Sequence, residues 1–85
     1  MITREFAKRL RFMMTLFSDS NVDIAYLLGV DLSRVTNLRC AATRPKDKEL
    51  KLIADYYEVP LEFFTSESPM YISIEINGAD FRKEI

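Results

Sequence analysis

The sequence contains no histidine and only one cysteine, Cys40, among its 85 residues. Without histidine the chain lacks an imidazole base for acid–base catalysis, and one cysteine allows neither a Cys/His zinc site nor an internal disulfide. Neither a Gly-rich phosphate loop nor a carboxylate pair points to another reaction. We therefore expect a protein that is not an enzyme and that uses no metal or cofactor.

Disulfides and long apolar runs are missing as well. Small secreted domains usually carry several disulfides, so the single cysteine favours a reducing compartment. The sequence has no secretory signal and no apolar run near the roughly 18 residues that a membrane span needs. These absences predict a cytoplasmic protein that does not associate with a membrane.

Glycine and proline are scarce, at two and three residues, whereas 48% of the residues are hydrophobic. This composition excludes a collagen-like or intrinsically disordered chain. At this length folding buries only about 60% of the surface of the unfolded chain. One small ordered domain with a modest core is expected.

Neither sign of charge dominates, since the formal net charge is −1. A DNA-binding surface normally needs clustered lysine and arginine, so the average argues against nucleic acid. The average hides a split, however. Residues 1–48 hold nine basic and five acidic side chains, a net charge of +4, and residues 49–85 hold three basic and eight acidic ones, a net charge of −5. This asymmetry predicts an interaction face on the first half of the chain.

Apolar residues at helical spacing predict five helices in the first 64 residues. The predicted helices span residues 3–17, 21–28, 32–39, 46–57 and 60–64. On the first helix the inward stripe is predicted to be Phe6, Leu10, Met13 and Phe17. A mainly α-helical fold follows from this pattern.

The second and third predicted helices are separated by a short turn. Ser20 and Asp23 have the spacing of a capping box at the start of the second helix. Gly29 can adopt the left-handed conformation that ends it, and Asp31 is a good N-cap for the third. Two helices joined in this way form a helix-turn-helix.

After a polar hinge at residues 65–69 the apolar period changes from 3.6 to 2, and Asn77-Gly78 is a strong hairpin signal. A two-residue loop would pair Ile76 with Ala79, Ile74 with Phe81, Ile72 with Lys83 and Met70 with Ile85. A helix over residues 78–85 is the alternative to the second strand.

The apolar face of such a hairpin needs a partner, because an isolated hairpin is marginally stable in water. One possibility is that it packs on apolar residues of the first helix, namely Phe12, Met14 and Leu16. The other is that residues 70–85 form a dimer contact. The candidate dimerisation residues are Met70, Ile72, Ile74, Ile76 and Phe81.

Residues 20–38 resemble the helix-turn-helix of the Cro and phage-repressor family, also called the XRE family, and the resemblance covers about three quarters of the chain. The motifs that carry it are the cap at Ser20, Ile24-Ala25, Leu28-Gly29-Val30, Val35, Leu38, Pro45 and the ending Val59-Pro60-Leu61. The resemblance implies a five-helix, lambda-repressor-like DNA-binding domain over residues 1–64, followed by the hinge and a C-terminal β-hairpin or β-strand.

The resemblance also implies that residues 32–39 are the recognition helix, which lies in the major groove of DNA. The family's base-reading positions fall on Leu32, Ser33, Arg34, Thr36 and Asn37. Its phosphate-contacting positions fall on Asn21, Arg44 and Lys46.

The sequence departs from the family pattern at two places. The family often pairs an arginine at the position of Met14 with a glutamate at the position of Arg39. Both are absent here, which leaves Arg39 free to contact a phosphate. Ala41 replaces the family's glycine after the recognition helix, so a C-cap that is not left-handed is expected there.

Two functions are consistent with these features. The first is a sequence-specific transcriptional regulator, such as a Cro-like repressor, that acts as a homodimer on a palindromic operator in double-stranded DNA. The second is a protein-binding module on the same fold, such as an antitoxin or a phage-encoded inhibitor. That module would bind a protein partner through the acidic half and the β segment, by strand addition.

Overall fold

Five helices dominate the part of the chain that the computed structural model describes, residues 3–68 and 71–84. They are α1 (Thr3–Leu16), α2 (Asn21–Leu28), α3 (Leu32–Arg39), α4 (Asp47–Tyr57) and α5 (Glu62–Thr65). The mainly α-helical class is confirmed, and α2 and α3 have the predicted bounds. No helix within the described ranges is long and apolar enough to cross a membrane.

The fifth helix begins later than predicted. Pro60 was expected as its first residue, but α5 begins at Glu62. The preceding turn is tighter than an α-helix, because the Phe63 N–H donates to the Pro60 carbonyl and the Phe64 N–H to the Leu61 carbonyl, each at 3.0 Å. Pro60 therefore opens a 3₁₀-type turn that leads into α5.

Local capping explains why α2 and α3 begin where predicted. The Asp23 N–H donates to Ser20 Oγ at 3.3 Å and the Ser20 N–H donates to Asp23 Oδ2 at 2.8 Å, which completes the capping box. The Arg34 N–H donates to Asp31 Oδ1 at 2.9 Å. Gly29 has a φ of 68°, as expected for a left-handed helix end.

Helices α1 to α4 all end in the same hydrogen-bond pattern, the Schellman motif. In each, the residue with left-handed φ donates its N–H to the carbonyl of the residue three positions earlier. The following residue donates its N–H to the carbonyl of the residue five positions before it. The left-handed residues are Ser18, Gly29, Ala41 and Glu58. The expectation that Ala41 is not left-handed is therefore wrong, since its φ is 60°. The paired hydrogen bonds impose this conformation whichever side chain is present.

We predict that Ala41→Gly raises the free energy of unfolding by about 0.5–1 kcal/mol, because a left-handed φ costs an L residue about 1–2 kcal/mol and glycine very little. The gain is reduced by the larger conformational entropy of glycine in the unfolded chain. Urea unfolding followed by circular dichroism measures the change. Ala42→Gly is the matched control, since Ala42 lacks a positive φ, and it should not stabilise the protein. Equal effects of the two substitutions would contradict the prediction.

The core lies between α1, α4 and the α2–α3 pair. Helix α1 packs on α3 and α5, and α4 packs on α2 and α5. Phe6, Leu10 and Met13 are buried as predicted, but Phe17 is 56% exposed because α1 ends before it. The Phe17 ring instead lies 5.4 Å from the ring of Tyr57.

Two strands follow the helices, β1 (Tyr71–Ile76) and β2 (Ala79–Glu84). They are antiparallel, and the Cα register pairs Ile76 with Ala79, Ile74 with Phe81 and Ile72 with Lys83. Asn77 and Gly78 in the connecting turn have φ values of 52° and 81°. The predicted pair of Met70 with Ile85 lies outside the described residues.

Phe12, Met14 and Leu16, the residues expected to receive the hairpin, lie in different environments on α1. Met14 is 2% exposed and belongs to the helical core, and Phe12 packs against that core. Leu16 is 57% exposed. Met14 is therefore not available as a surface for the C-terminal segment.

Candidate nucleic-acid interface

The outward face of α3 carries four of the five predicted base-contact residues. Val35 and Leu38 are fully buried and fix the orientation of the helix. The exposed residues opposite them are Leu32, Ser33, Thr36 and Asn37. Leu32 is half exposed although it is apolar. The structure thus gathers a small, largely polar, solvent-facing surface on one helix.

Thr36 is held by its neighbours on this face. Its hydroxyl donates to the Leu32 carbonyl at 3.1 Å, one turn earlier on α3. The Asn21 side-chain amide, at the start of α2, donates to Thr36 Oγ1 at 3.5 Å. This contact links the first residue of α2 to the middle of α3.

Arg34 does not share this exposed face with the other four predicted base contacts. Its guanidinium forms a bidentate ion pair with Glu49 on α4, with distances of 3.0 Å from Nε to Oε2 and 2.6 Å from Nη2 to Oε1. It also donates to Thr43 Oγ1 and to the Arg44 carbonyl, each at 3.1 Å. Four of its five N–H groups are therefore occupied. This placement conflicts with the predicted role of Arg34 as a base contact.

Glu49 is the centre of this arrangement, and sequence reasoning missed it. Its side chain is 6% exposed, and besides pairing with Arg34 it accepts the Lys46 N–H at 2.8 Å, at the start of α4. The hydrogen bonds from Arg34 lower the pKa of the Glu49 carboxyl. A glutamate three residues after a helix N-cap is the signal that could have revealed the capping part of this role.

Arg34 and Glu49 together fix the loop between α3 and α4. The guanidinium holds the Thr43 hydroxyl and the Arg44 carbonyl, while Glu49 holds the Lys46 N–H. Arg44 and Lys46, two of the predicted phosphate contacts, are exposed in this loop. Arg34 is therefore a positioning residue for the loop that carries them.

The other two predicted phosphate contacts, Asn21 and Arg39, touch each other. Arg39 Nη1 donates to Asn21 Oδ1 at 2.7 Å, and the Arg39 carbonyl accepts a hydrogen bond from Arg11 Nη1. Arg39 Nε is buried and has no hydrogen-bond partner among the described residues. A cleft of about 320 Å³ is lined by Arg11, Asn21, Thr36, Arg39 and Cys40. Arg11 is not among the predicted phosphate contacts.

The surface around α3 is thus flanked by two basic regions. The cleft with Arg11 and Arg39 lies beside the start of α2, and the loop with Arg44 and Lys46 follows the end of α3. Since Arg9 is fully buried and Arg34 is paired with Glu49, the exposed positive charge of the first half comes from fewer residues than the sequence count suggests.

A second exposed surface lies on the outer side of α2. This apolar α2–α4 surface consists of Val22, Tyr26, Leu27 and Tyr56, which line a cleft of about 650 Å³ together with Asp23. Tyr26 is 91% exposed and Val22 61%. The ring of Tyr56 is fixed by Asp19, whose Oδ1 accepts its hydroxyl at 3.0 Å.

Asp19 also accepts the hydroxyl of Tyr57, at 2.8 Å. Burial, together with the hydrogen bond to Asp19, raises the pKa of the Tyr57 phenol. The carboxylate therefore joins the turn after α1 to the end of α4.

Within the described residues no group of His, Cys, Asp and Glu side chains has the arrangement of a metal site. No family model, curated protein or solved structure matches this chain.

Proposed function

We propose that this protein is a sequence-specific DNA-binding transcriptional regulator, a Cro-like repressor that acts as a dimer on a palindromic operator. Its fold would be a lambda-repressor-like helix-turn-helix domain followed by a C-terminal β-hairpin. The observation that carries the proposal is the solvent-facing surface of α3, which lies between two basic regions. Such a surface suits a helix inserted into the major groove, with cations reaching the phosphates on both sides.

The exposed residues of α3 have side chains suited to base edges. Asn37 can form two hydrogen bonds with the N6 and N7 atoms of adenine. Ser33 and Thr36 can bond to several bases, and Leu32 can contact the methyl group of thymine. Arg34 is not a base contact in this proposal, because its guanidinium is hydrogen-bonded to the loop after α3.

Phosphate contacts would set the register of the domain on DNA. Asn21 lies at the start of α2, where free backbone N–H groups and the helix dipole favour an anion. Arg11 and Arg39 line the adjacent cleft, and Arg44 and Lys46 lie in the loop that Arg34 and Glu49 fix. These contacts position the protein but carry no sequence information.

A dimer would place two recognition helices about 34 Å apart, which matches one turn of DNA. The C-terminal segment is the proposed contact between subunits, with Ile72, Ile74, Ile76 and Phe81 at the interface; the further candidate, Met70, lies outside the described residues. A twofold axis through this segment would give an operator with twofold symmetry.

The proposal is tested by measuring binding of the full chain to the DNA upstream of its own coding sequence across a range of salt concentrations. We expect saturable binding that weakens steeply with salt. Arg39→Ala should make the slope of log K against log[salt] shallower by about one, because one phosphate contact is lost. Lys51→Ala, an exposed change on α4, should leave the slope unchanged. An unchanged slope for Arg39→Ala would remove Arg39 from the interface.

A protein-binding function on the same fold is the second candidate, and the apolar α2–α4 surface favours it. A tyrosine that is 91% exposed beside an exposed valine is not required by the core. In this alternative the chain acts as an antitoxin or a phage-encoded inhibitor. If the protein does not bind its upstream DNA even at low salt, and a specific partner is recovered by pull-down, the protein-binding function is favoured over DNA binding.

A further inference from the structure

Arg9 is a charged residue in the interior of the domain. It lies on α1, where Phe6, Leu10 and Met13 are also buried, and its own side chain is fully buried. Burying an arginine costs free energy unless its N–H groups find acceptors. The hydrogen-bond acceptors of Arg9 show which parts of the chain its side chain connects.

Three backbone carbonyls accept hydrogen bonds from the guanidinium, and all of them belong to residues at or after α5, more than 50 positions later in the sequence. Arg9 Nη1 donates to the Phe63 carbonyl at 3.3 Å and also to the Ser66 carbonyl. Arg9 Nη2 donates to the Ser68 carbonyl at 2.6 Å. The Glu5 carboxylate lies 3.9 Å from the same Nη2 atom and partly balances its charge. One side chain of α1 therefore holds the end of α5 and the chain that follows it.

The segment predicted as a hinge is therefore anchored over most of its length. Ser66 and Ser68 are tied to α1 through Arg9, and only residues 69 and 70 separate Ser68 from the first residue of β1. Three residue steps of fully extended chain span at most about 11 Å. The start of β1 consequently lies close to a point that is fixed on the helical domain.

From this arrangement we infer that Arg9 determines the spacing of operator half-sites that the dimer accepts. The inference rests on the proposed function, in which the C-terminal segments join two subunits. The path from α3 to the dimer contact runs through the packing of α3 on α1, then through Arg9 to Ser68. A long flexible link would let the two recognition helices adopt many separations, whereas the anchor at Ser68 shortens the free link and so narrows the range. The ligand class is therefore palindromic DNA with a narrow range of half-site separations.

Arg9 acts in this scheme as a positioning residue, because it is buried and contacts no DNA. Its removal should broaden the range of spacings that the dimer accepts without changing how a single half-site is read. This combination separates a positioning role from general stabilisation, which would weaken binding to every duplex alike.

The experiment uses a series of synthetic duplexes, each with two copies of one half-site. The half-site sequence is taken from the footprinted upstream DNA, and the separation between the copies increases in steps of one base pair. A duplex with one half-site serves as reference. The full-length protein should prefer one separation at least about tenfold over its neighbours, a difference of about 1.4 kcal/mol. For Arg9→Met we expect this preference to fall to threefold or less, with affinity for the single half-site unchanged within about twofold. Arg9→Lys, which keeps a donor, should retain an intermediate preference.

A second variant keeps the test decisive if Arg9→Met fails to fold. Two glycines inserted after Ser68 leave Arg9 and the core intact but separate the anchored segment from β1. This insertion should flatten the spacing profile as Arg9→Met does. The inference is overturned if the unaltered protein binds all separations equally, if a folded Arg9→Met keeps the sharp preference, or if the insertion leaves it unchanged. Failure to bind any duplex would instead refute the proposed function, and the inference with it.

Discussion

Glu49→Ala is expected to lower the free energy of unfolding by about 2 kcal/mol, because it removes one partner of a partly buried, hydrogen-bonded ion pair. Arg34 would lose two of its hydrogen bonds, and the Lys46 N–H at the start of α4 would lose its acceptor. Urea unfolding at neutral pH measures the change. Asp55→Ala, an exposed carboxylate on the same helix, is the control and should change stability by about 0.5 kcal/mol or less.

A double substitution separates the ion pair from the general loss of a side chain. Arg34→Met combined with Glu49→Met leaves no unpaired charge, so it should be clearly less destabilising than Glu49→Ala. If the double variant is the less stable of the two, the unpaired charge of Arg34 is not the cause of the destabilisation by Glu49→Ala.

The same pair predicts a pH dependence. Because Arg34 lowers the pKa of Glu49 in the folded protein, the stabilisation is fully present above the ordinary carboxyl pKa of 4.5. It is lost as the pH falls through the lowered folded pKa, since protonation removes the negative charge. Glu49→Gln should therefore flatten the fall in stability below pH 4.5, and an unchanged acid profile would contradict this assignment.

Asn37→Ala is expected to weaken operator binding by about 10- to 100-fold, because a bidentate contact with adenine contributes about 1–3 kcal/mol of discrimination. The loss should be confined to one base pair in each half-site, so that the variant tolerates any base there. Fluorescence anisotropy with a set of single-substituted operators measures this pattern. Thr15→Ala, an exposed polar change on α1, is the control and should bind all of these duplexes as the unaltered protein does.

The outcome for Arg34→Ala should differ in kind. Arg34 holds the loop with Arg44 and Lys46, so its loss should weaken binding to every sequence by a similar factor and lower stability at the same time. A selective loss at a single guanine would instead restore Arg34 as a base reader. Uniform weakening by Asn37→Ala would likewise remove that residue from direct readout.

Much of the helical fold could be predicted because its signals are local. Ser20 with Asp23, Asp31 and Gly29 act within four residues of the helix ends that they define, so α2 and α3 have the predicted bounds. Phe17 shows the limit of this reasoning. It continues the apolar period of α1, but the chain turns at Ser18, and the residue is left on the surface.

The sequence by itself determined the five helices, the short capped turn between α2 and α3 and the exposed polar face of α3, because periodicity and capping act over a few residues. Only the tertiary structure decided the roles of its arginines. Arg34 finds Glu49 fifteen positions away, and Arg9 finds carbonyls at least 54 positions away. Both count as positive charge in the sequence, yet one holds a loop and the other the chain after α5. Their partners are brought near only when the helices pack, so no local pattern in the chain could reveal them.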